Sequence, residues 1–106
     1  EHVGNMALSD GGEHDLTDKQ IHARDMTWLE ECDAVVSEVT TPSIGVGYEL
    51  GIAEKLGKPI LCLFDDGKPG LRLSAMLSGN PRATVTRYKT LEQATEAIDL
   101  FVRQNT

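Results

Sequence analysis

A chain of 106 residues suits one domain with one modest core, and its hydrophobic share of 40% and charged share of 25% are ordinary for a globular protein. No apolar run approaches the roughly 20 residues of a membrane span, so a membrane partner is not expected. A net charge of −7 argues against a nucleic-acid polymer as partner, because phosphate backbones need a basic face, yet it permits a small phosphate held by backbone N–H groups at a helix start.

The first residues, "EHVGNM", carry neither a basic region nor an apolar run, so they do not read as a secretory signal. "EHV" reads as the tail of a strand whose beginning is missing. Residues 4–16, with "SDGGEHD", are rich in glycine and acids and predict a mobile loop. Thr17 is a candidate N-cap for a helix over about residues 18–31. "AVVSEV" predicts a strand and "TTPS" breaks it. A helix follows from about Gly45 to Leu56, with Gly57 as its stop.

Pro59 opens "PILCLF", which is apolar without alternation, as in a strand of a parallel sheet buried on both faces. "DDGKPG" is a turn, "LRLSAML" a short helix and "ATVTRY" a further strand. Residues 91–103 form a closing amphipathic helix. Alternating helices and strands imply one α/β domain over residues 1–106, a sandwich around a mostly parallel sheet. Cys32 and Cys62 form no C-x-x-C and lie beside or within apolar runs. They read as reduced core thiols, which fits a reducing, intracellular compartment.

Two acids break the helical pattern. At about 100° per residue, Leu50, Ala53 and Gly57 fall within about 40° of Val46, and Glu49 falls between Ala53 and Leu56, inside the apolar arc. An ionised carboxylate buried without partners costs several kcal/mol, so something must satisfy it. Glu49 also sits near the start of its helix, where the macrodipole favours an anion. In the preceding helix Ile21, Trp28, Leu29 and Cys32 form a stripe, and Asp25 fills its i+4 slot. Each acid could cap a loop or pair with an arginine such as Arg24 or Arg72. Alternatively the two could flank a reacting bond, as the carboxylates of glycosidases do.

Glu49 is the better placed by topology, because its helix follows a strand directly and so starts at the carboxyl edge of the sheet. Ser43, Gly45 and Gly47 lie at that helix start. Ser43 is an N-cap or an anion contact, and Ser74 offers the same two readings at the start of its short helix. Tyr48 lies opposite the core arc and reads as a packing or interface residue. His2, His14 and His22 show no metal-ligand spacing, so no metal site is expected.

The string "IHARDMTWLEECDAVVSEVTTPSIGVGYELGIAEKLGKPILCLF", followed by "LSAML", resembles the nucleoside 2-deoxyribosyltransferase-like family, and within it the 2'-deoxynucleoside 5'-phosphate N-hydrolases. The likeness is close over roughly residues 20–79. It implies a Rossmann-like, doubly wound, mostly parallel sheet with helices on both faces. The family's opening strand carries a G-S-x-R-G-G-type phosphate loop and a tyrosine near the sugar. Neither stands in this chain, so its first strand reads as absent.

The resemblance further implies that Glu49 attacks the anomeric carbon of a deoxynucleoside monophosphate and that Asp25 assists protonation of the leaving base. Ser43 would bind the 5'-phosphate, and Ser74 would reach the phosphate held by a neighbouring subunit, which makes the assembly a homodimer. His2 matches a position near the family pocket. No metal or organic cofactor is required, and a cytoplasmic, also nuclear, location goes with the resemblance. Sugar transfer between bases, or nucleotide binding without turnover, are the alternatives to hydrolysis.

Overall fold

The long helices start where the sequence offers side-chain caps. Thr17 and Gln20 form a reciprocal capping box at the head of α1 (Asp18–Glu31), and Thr90 and Gln93 form another at the head of α4 (Leu91–Gln104). The computed structural model describes the backbone of residues 6–8 and the whole of residues 15–105. Between those helices lie β2 (Ala34–Glu38), α2 (Ile44–Lys55), β3 (Ile60–Asp65), the one-turn α3 (Ala75–Ser78) and β4 (Ala83–Tyr88); β1 (Met6–Leu8) precedes α1.

β1 is a departure from expectation, since residues 4–16 read as a loop. It pairs parallel with β2, in register Met6 with Ala34 and Leu8 with Val36. A three-residue apolar run inside a glycine- and acid-rich stretch is too short to show strand periodicity. Pairing along the edge of β2 satisfies its backbone groups instead. The "EHV" stretch lies outside the described residues.

The sheet runs β1-β2-β3-β4, with every pair parallel. Sequential parallel strands with right-handed crossovers carry their connecting helices on one face. Leu29 of α1, its C-cap Cys32, and Leu50 and Ala53 of α2 accordingly pack on Val35, Val39, Ile60 and Cys62, with Leu73 and Leu77 at the margin. The opposite face, built on Ala34, Val36, Leu61 and Leu63, receives α4 through Phe101, Ala97 and Ile98. Helices therefore cover both faces of a parallel sheet. β3 is buried over Ile60–Phe64, which explains its lack of alternation.

Two terminations set the site. Gly57 (φ +75°) ends α2 in a left-handed turn, with its N–H on the Glu54 carbonyl and the Lys58 N–H on the Ala53 carbonyl. The Lys58 ammonium then donates to the Glu30 and Cys32 carbonyls at 3.1 and 2.7 Å, tying the end of α1 to the end of α2. Both cysteines are free and buried, as expected of core thiols. Among the described residues no helix is long and apolar enough to cross a membrane.

Candidate active site

All strands being parallel, α1 and α2 both descend from the carboxyl edge of the sheet, side by side. Ser43 caps α2 with its hydroxyl, which accepts the Val46 N–H at 3.2 Å. The capping reading holds, and it leaves the other first-turn N–H groups of α2 as the donors that a helix start offers an anion. No acidic residue occupies the first turn of α2 to compete for them.

A cleft of about 390 Å³ opens between the two helices, lined by Ile21, His22, Asp25 and Met26 from α1 and by Ser43, Gly45, Val46, Tyr48 and Glu49 from α2 and its cap. Asp25 and Glu49 thus share one cavity, and the neighbouring Glu49 side chain is among the groups that lower the Asp25 carboxyl.

Asp25 also binds Arg24, whose Nε and Nη2 both lie 3.0 Å from Oδ1. Burial pushes the Asp25 carboxyl up, but the hydrogen bonds to Glu49 and Arg24 and the charges of Arg24 and His22 outweigh it. The carboxyl ends below its ordinary value. An arginine pairing is thus present at Asp25, and it leaves Asp25 in the cleft.

Arg24 lies 4.5 Å above the Trp28 ring, between that ring and the Asp25 carboxylate. This corrects the inward placing of Trp28, which is 48% exposed. The indole covers the guanidinium instead of filling the core, a cation–π arrangement that sequence periodicity does not display.

The remaining sequence candidates divide between two cavities. Gly45 lines the acid cleft. Gly47 and Ser74 line an adjoining cleft of about 370 Å³ with Thr41, Ile44, Gly51 and Met76; Ser43 stands on the wall between the two. Ser74 caps α3 through the Met76 N–H at 3.1 Å. His2 lies outside the described residues.

Two lining residues went unassigned in the sequence reading. The sequence offers His22 only as a metal-ligand candidate and Tyr48 only as a packing or interface residue. The Tyr48 hydroxyl lies 3.4 Å from His22 Nε2 across the cleft mouth. The available signal was the α1 spacing Asp18, Ile21, His22, Asp25, one helical stripe at i, i+3, i+4, i+7. Among the described residues no group of three or more His, Cys, Asp or Glu is arranged to hold a metal ion.

Residues 2–85 match the family model described as nucleoside 2-deoxyribosyltransferase. The chain is 46% identical over 105 residues to a 5-hydroxymethyl-dUMP N-hydrolase of Mus musculus, covering 98% of this chain and 59% of the relative. A protein of the same name from Tetraodon nigroviridis is 55% identical over 80 residues, 74% of this chain and 56% of that relative. The chain thus spans about three fifths of the curated relatives it matches. A solved CMP N-glycosidase of Clostridium botulinum superposes with a TM-score of 0.68 at 23% identity, over 82% of this chain and 72% of that one, which shows a shared fold.

Proposed function

The chain belongs to the nucleoside 2-deoxyribosyltransferase family, and from that premise we propose that it cleaves the N-glycosidic bond of 2'-deoxynucleoside 5'-monophosphates, releasing free base and 2-deoxyribose 5-phosphate. The observation that carries the reading is that Asp25 and Glu49 face one cleft whose upper wall is the capped start of α2. The curated relatives are named as N-hydrolases of deoxynucleoside phosphates, which supports the same chemistry.

In this reading Glu49 is the nucleophile. Its carboxylate oxygen forms a bond to the anomeric carbon as the bond from that carbon to the base nitrogen breaks, and the electron pair leaves with the base. Asp25 delivers the proton that the departing base needs. Arg24 holds Asp25 below the ordinary carboxyl range, so Asp25 takes that proton up from solvent before passing it to the base. Water then attacks the same carbon, expels the Glu49 carboxylate and gives its proton back to the acid pair.

The 5'-phosphate sits on the Ser43 hydroxyl and the α2 N–H groups at Ile44 and Gly45; the Gly47 N–H is held by the Ser43 carbonyl at 3.0 Å, so Gly47 gives room rather than a donor. That contact supplies binding energy remote from the breaking bond. No metal or cofactor enters any of these steps.

We further read the assembly as a homodimer in which Ser74 reaches the partner's phosphate. Ile44 and Met76 flank the Ser74 cleft and are 95% and 82% exposed in the single chain, which supports a covering partner there. The working compartments are the cytoplasm and nucleus. Transfer of the sugar to a second base is the competing outcome that the family name favours. It requires only that a base replace water at the glycosyl-enzyme.

The test is chromatographic. Incubated with a panel of deoxynucleoside monophosphates, the protein releases free base, and Glu49→Ala does not, with an unchanged circular dichroism spectrum. Persistent turnover in Glu49→Ala overturns the assignment. Incorporation of an added free base into new nucleotide identifies transfer instead.

A further inference from the structure

A second polar cluster lies at the carboxyl edge of the sheet, apart from the acid pair. Glu38 ends β2, and both of its oxygens are engaged. Oε1 accepts the Thr40 N–H at 3.0 Å, and Oε2 accepts the Thr40 hydroxyl and, at 2.7 Å, the Tyr88 hydroxyl. The Thr40 oxygen in turn accepts the Asp65 N–H at 2.7 Å. Tyr88 ends β4 and Asp65 ends β3, so these bonds join the tips of three neighbouring strands.

The protonation states keep the cluster closed. Burial pushes Glu38 up, but the donors from Thr40 and Tyr88 outweigh it and hold the carboxyl below its ordinary value. The same carboxylate pushes the Tyr88 phenol up to about 12. Glu38 therefore remains an acceptor and Tyr88 a donor across the neutral range.

Burial shows what this arrangement holds. Thr40 is 4% exposed, whereas every residue from Thr41 to Gly45 is exposed. Thr40 is thus the last buried point before the chain crosses to α2. Ser43 follows three residues later, a reach of about 10 Å at most, and Pro42 fixes one of the intervening torsions. The position of Ser43 and the start of α2 follow from where Thr40 is held.

We infer that Glu38, Thr40 and Tyr88 are positioning residues, a clasp that sets Ser43 and the α2 start for the substrate's 5'-phosphate. The inference rests on the phosphate reading given above. It adds that preorganisation of the contact is built at the tips of β2, β3 and β4. None of the three clasp residues lines the acid cleft.

The experiment compares two probes on the full chain by calorimetry, 5-hydroxymethyl-dUMP and the same nucleoside without its phosphate. Thr40→Val is expected to weaken the nucleotide about tenfold, as loss of a buried hydrogen-bonded hydroxyl does, while the nucleoside stays within about twofold. Thr40→Ser keeps the hydroxyl and restores nucleotide binding to within about threefold. In turnover the Thr40→Val loss falls on KM more than on kcat. Mere loss of folded protein lowers kcat and leaves KM alone.

If Thr40→Val does not fold, Tyr88→Phe carries the test, with a weakening of about threefold confined to the nucleotide. Equal weakening of both probes, or none, overturns the clasp's role. So does a loss that Thr40→Ser does not restore. A wild-type protein that binds nucleotide and nucleoside equally well overturns the phosphate site itself, a separate and visible failure.

Discussion

The two faces of the sheet are built differently. On one, α4 packs by periodicity alone: Ala94 and Phe101 are buried, Ala97 and Ile98 sit beside them, and the charged residues look outward. On the other, α1 and α2 bury only Leu29, Leu50 and Ala53 between them, and each turns an acid toward the shared cleft. A helix whose inward stripe is uninterrupted serves the core. A helix that gives up part of its stripe to a carboxylate holds that group for another purpose, because a partly buried charge costs stability unless something compensates it.

The contrast can be broken at its extremes. Glu49→Ala is expected to lower base release by about 10⁴-fold or more while the melting temperature stays close to wild type. Phe101→Ala is expected to do the reverse, lowering unfolding free energy by about 3 kcal/mol with kcat per folded molecule unchanged. Denaturant titration beside single-turnover kinetics separates the two. If Phe101→Ala cuts kcat as deeply as Glu49→Ala, the division between the faces is wrong.

Asp25→Asn comes next, with a loss of about 10²-fold in kcat, as for removal of a general acid. It should also flatten the alkaline limb of the pH–rate profile, which a general acid sets by losing its proton. Asp25 is held below 3.8, so its ionised form contributes stability above that pH, and the contribution is lost as pH falls through the lower folded value. Asp25→Asn removes that acid-side dependence, which unfolding curves from pH 2 to pH 5 measure.

A smaller effect lies in the core common to both faces. Burial pushes the Cys62 thiol from 9.0 up to about 11. A raised folded value means the stabilising contribution is full below pH 9 and is lost as pH rises through 11. The loss is about 2 kcal/mol, and Cys62→Ala should remove it from the difference between unfolding curves at the two pH values. An unchanged difference means that the thiol does not titrate in that window.

The smallest effect concerns the outer side of α2. A Cβ at Gly51 meets nothing within 4 Å in the single chain. Gly51→Ala should therefore raise the stability of the monomer by about 0.5–1 kcal/mol through helix propensity. If a second copy covers that surface, the same change weakens self-association, which sedimentation at several concentrations reads directly.

Much of this architecture is legible along the chain. Thr17 and Thr90 start helices where their capping boxes stand, Ser43 caps α2, Gly57 ends it, and the unbroken apolar run of Ile60–Phe64 announces a strand buried on both sides. These features depend on neighbours within a turn or two, and propensity, capping and periodicity are local. The inward phase of Asp25 and Glu49 belongs with them, since each follows from its own helix.

What the two acids meet is a different matter. That they face one cleft depends on which helices the sheet sets side by side. That Glu38 is held by a tyrosine fifty positions away depends on the ends of three parallel strands arriving at one edge. Such contacts join residues that no local period relates, so only the packing of layers could decide them. Trp28 shows the limit most plainly: its spacing points inward, yet the guanidinium beside it draws the ring to the surface.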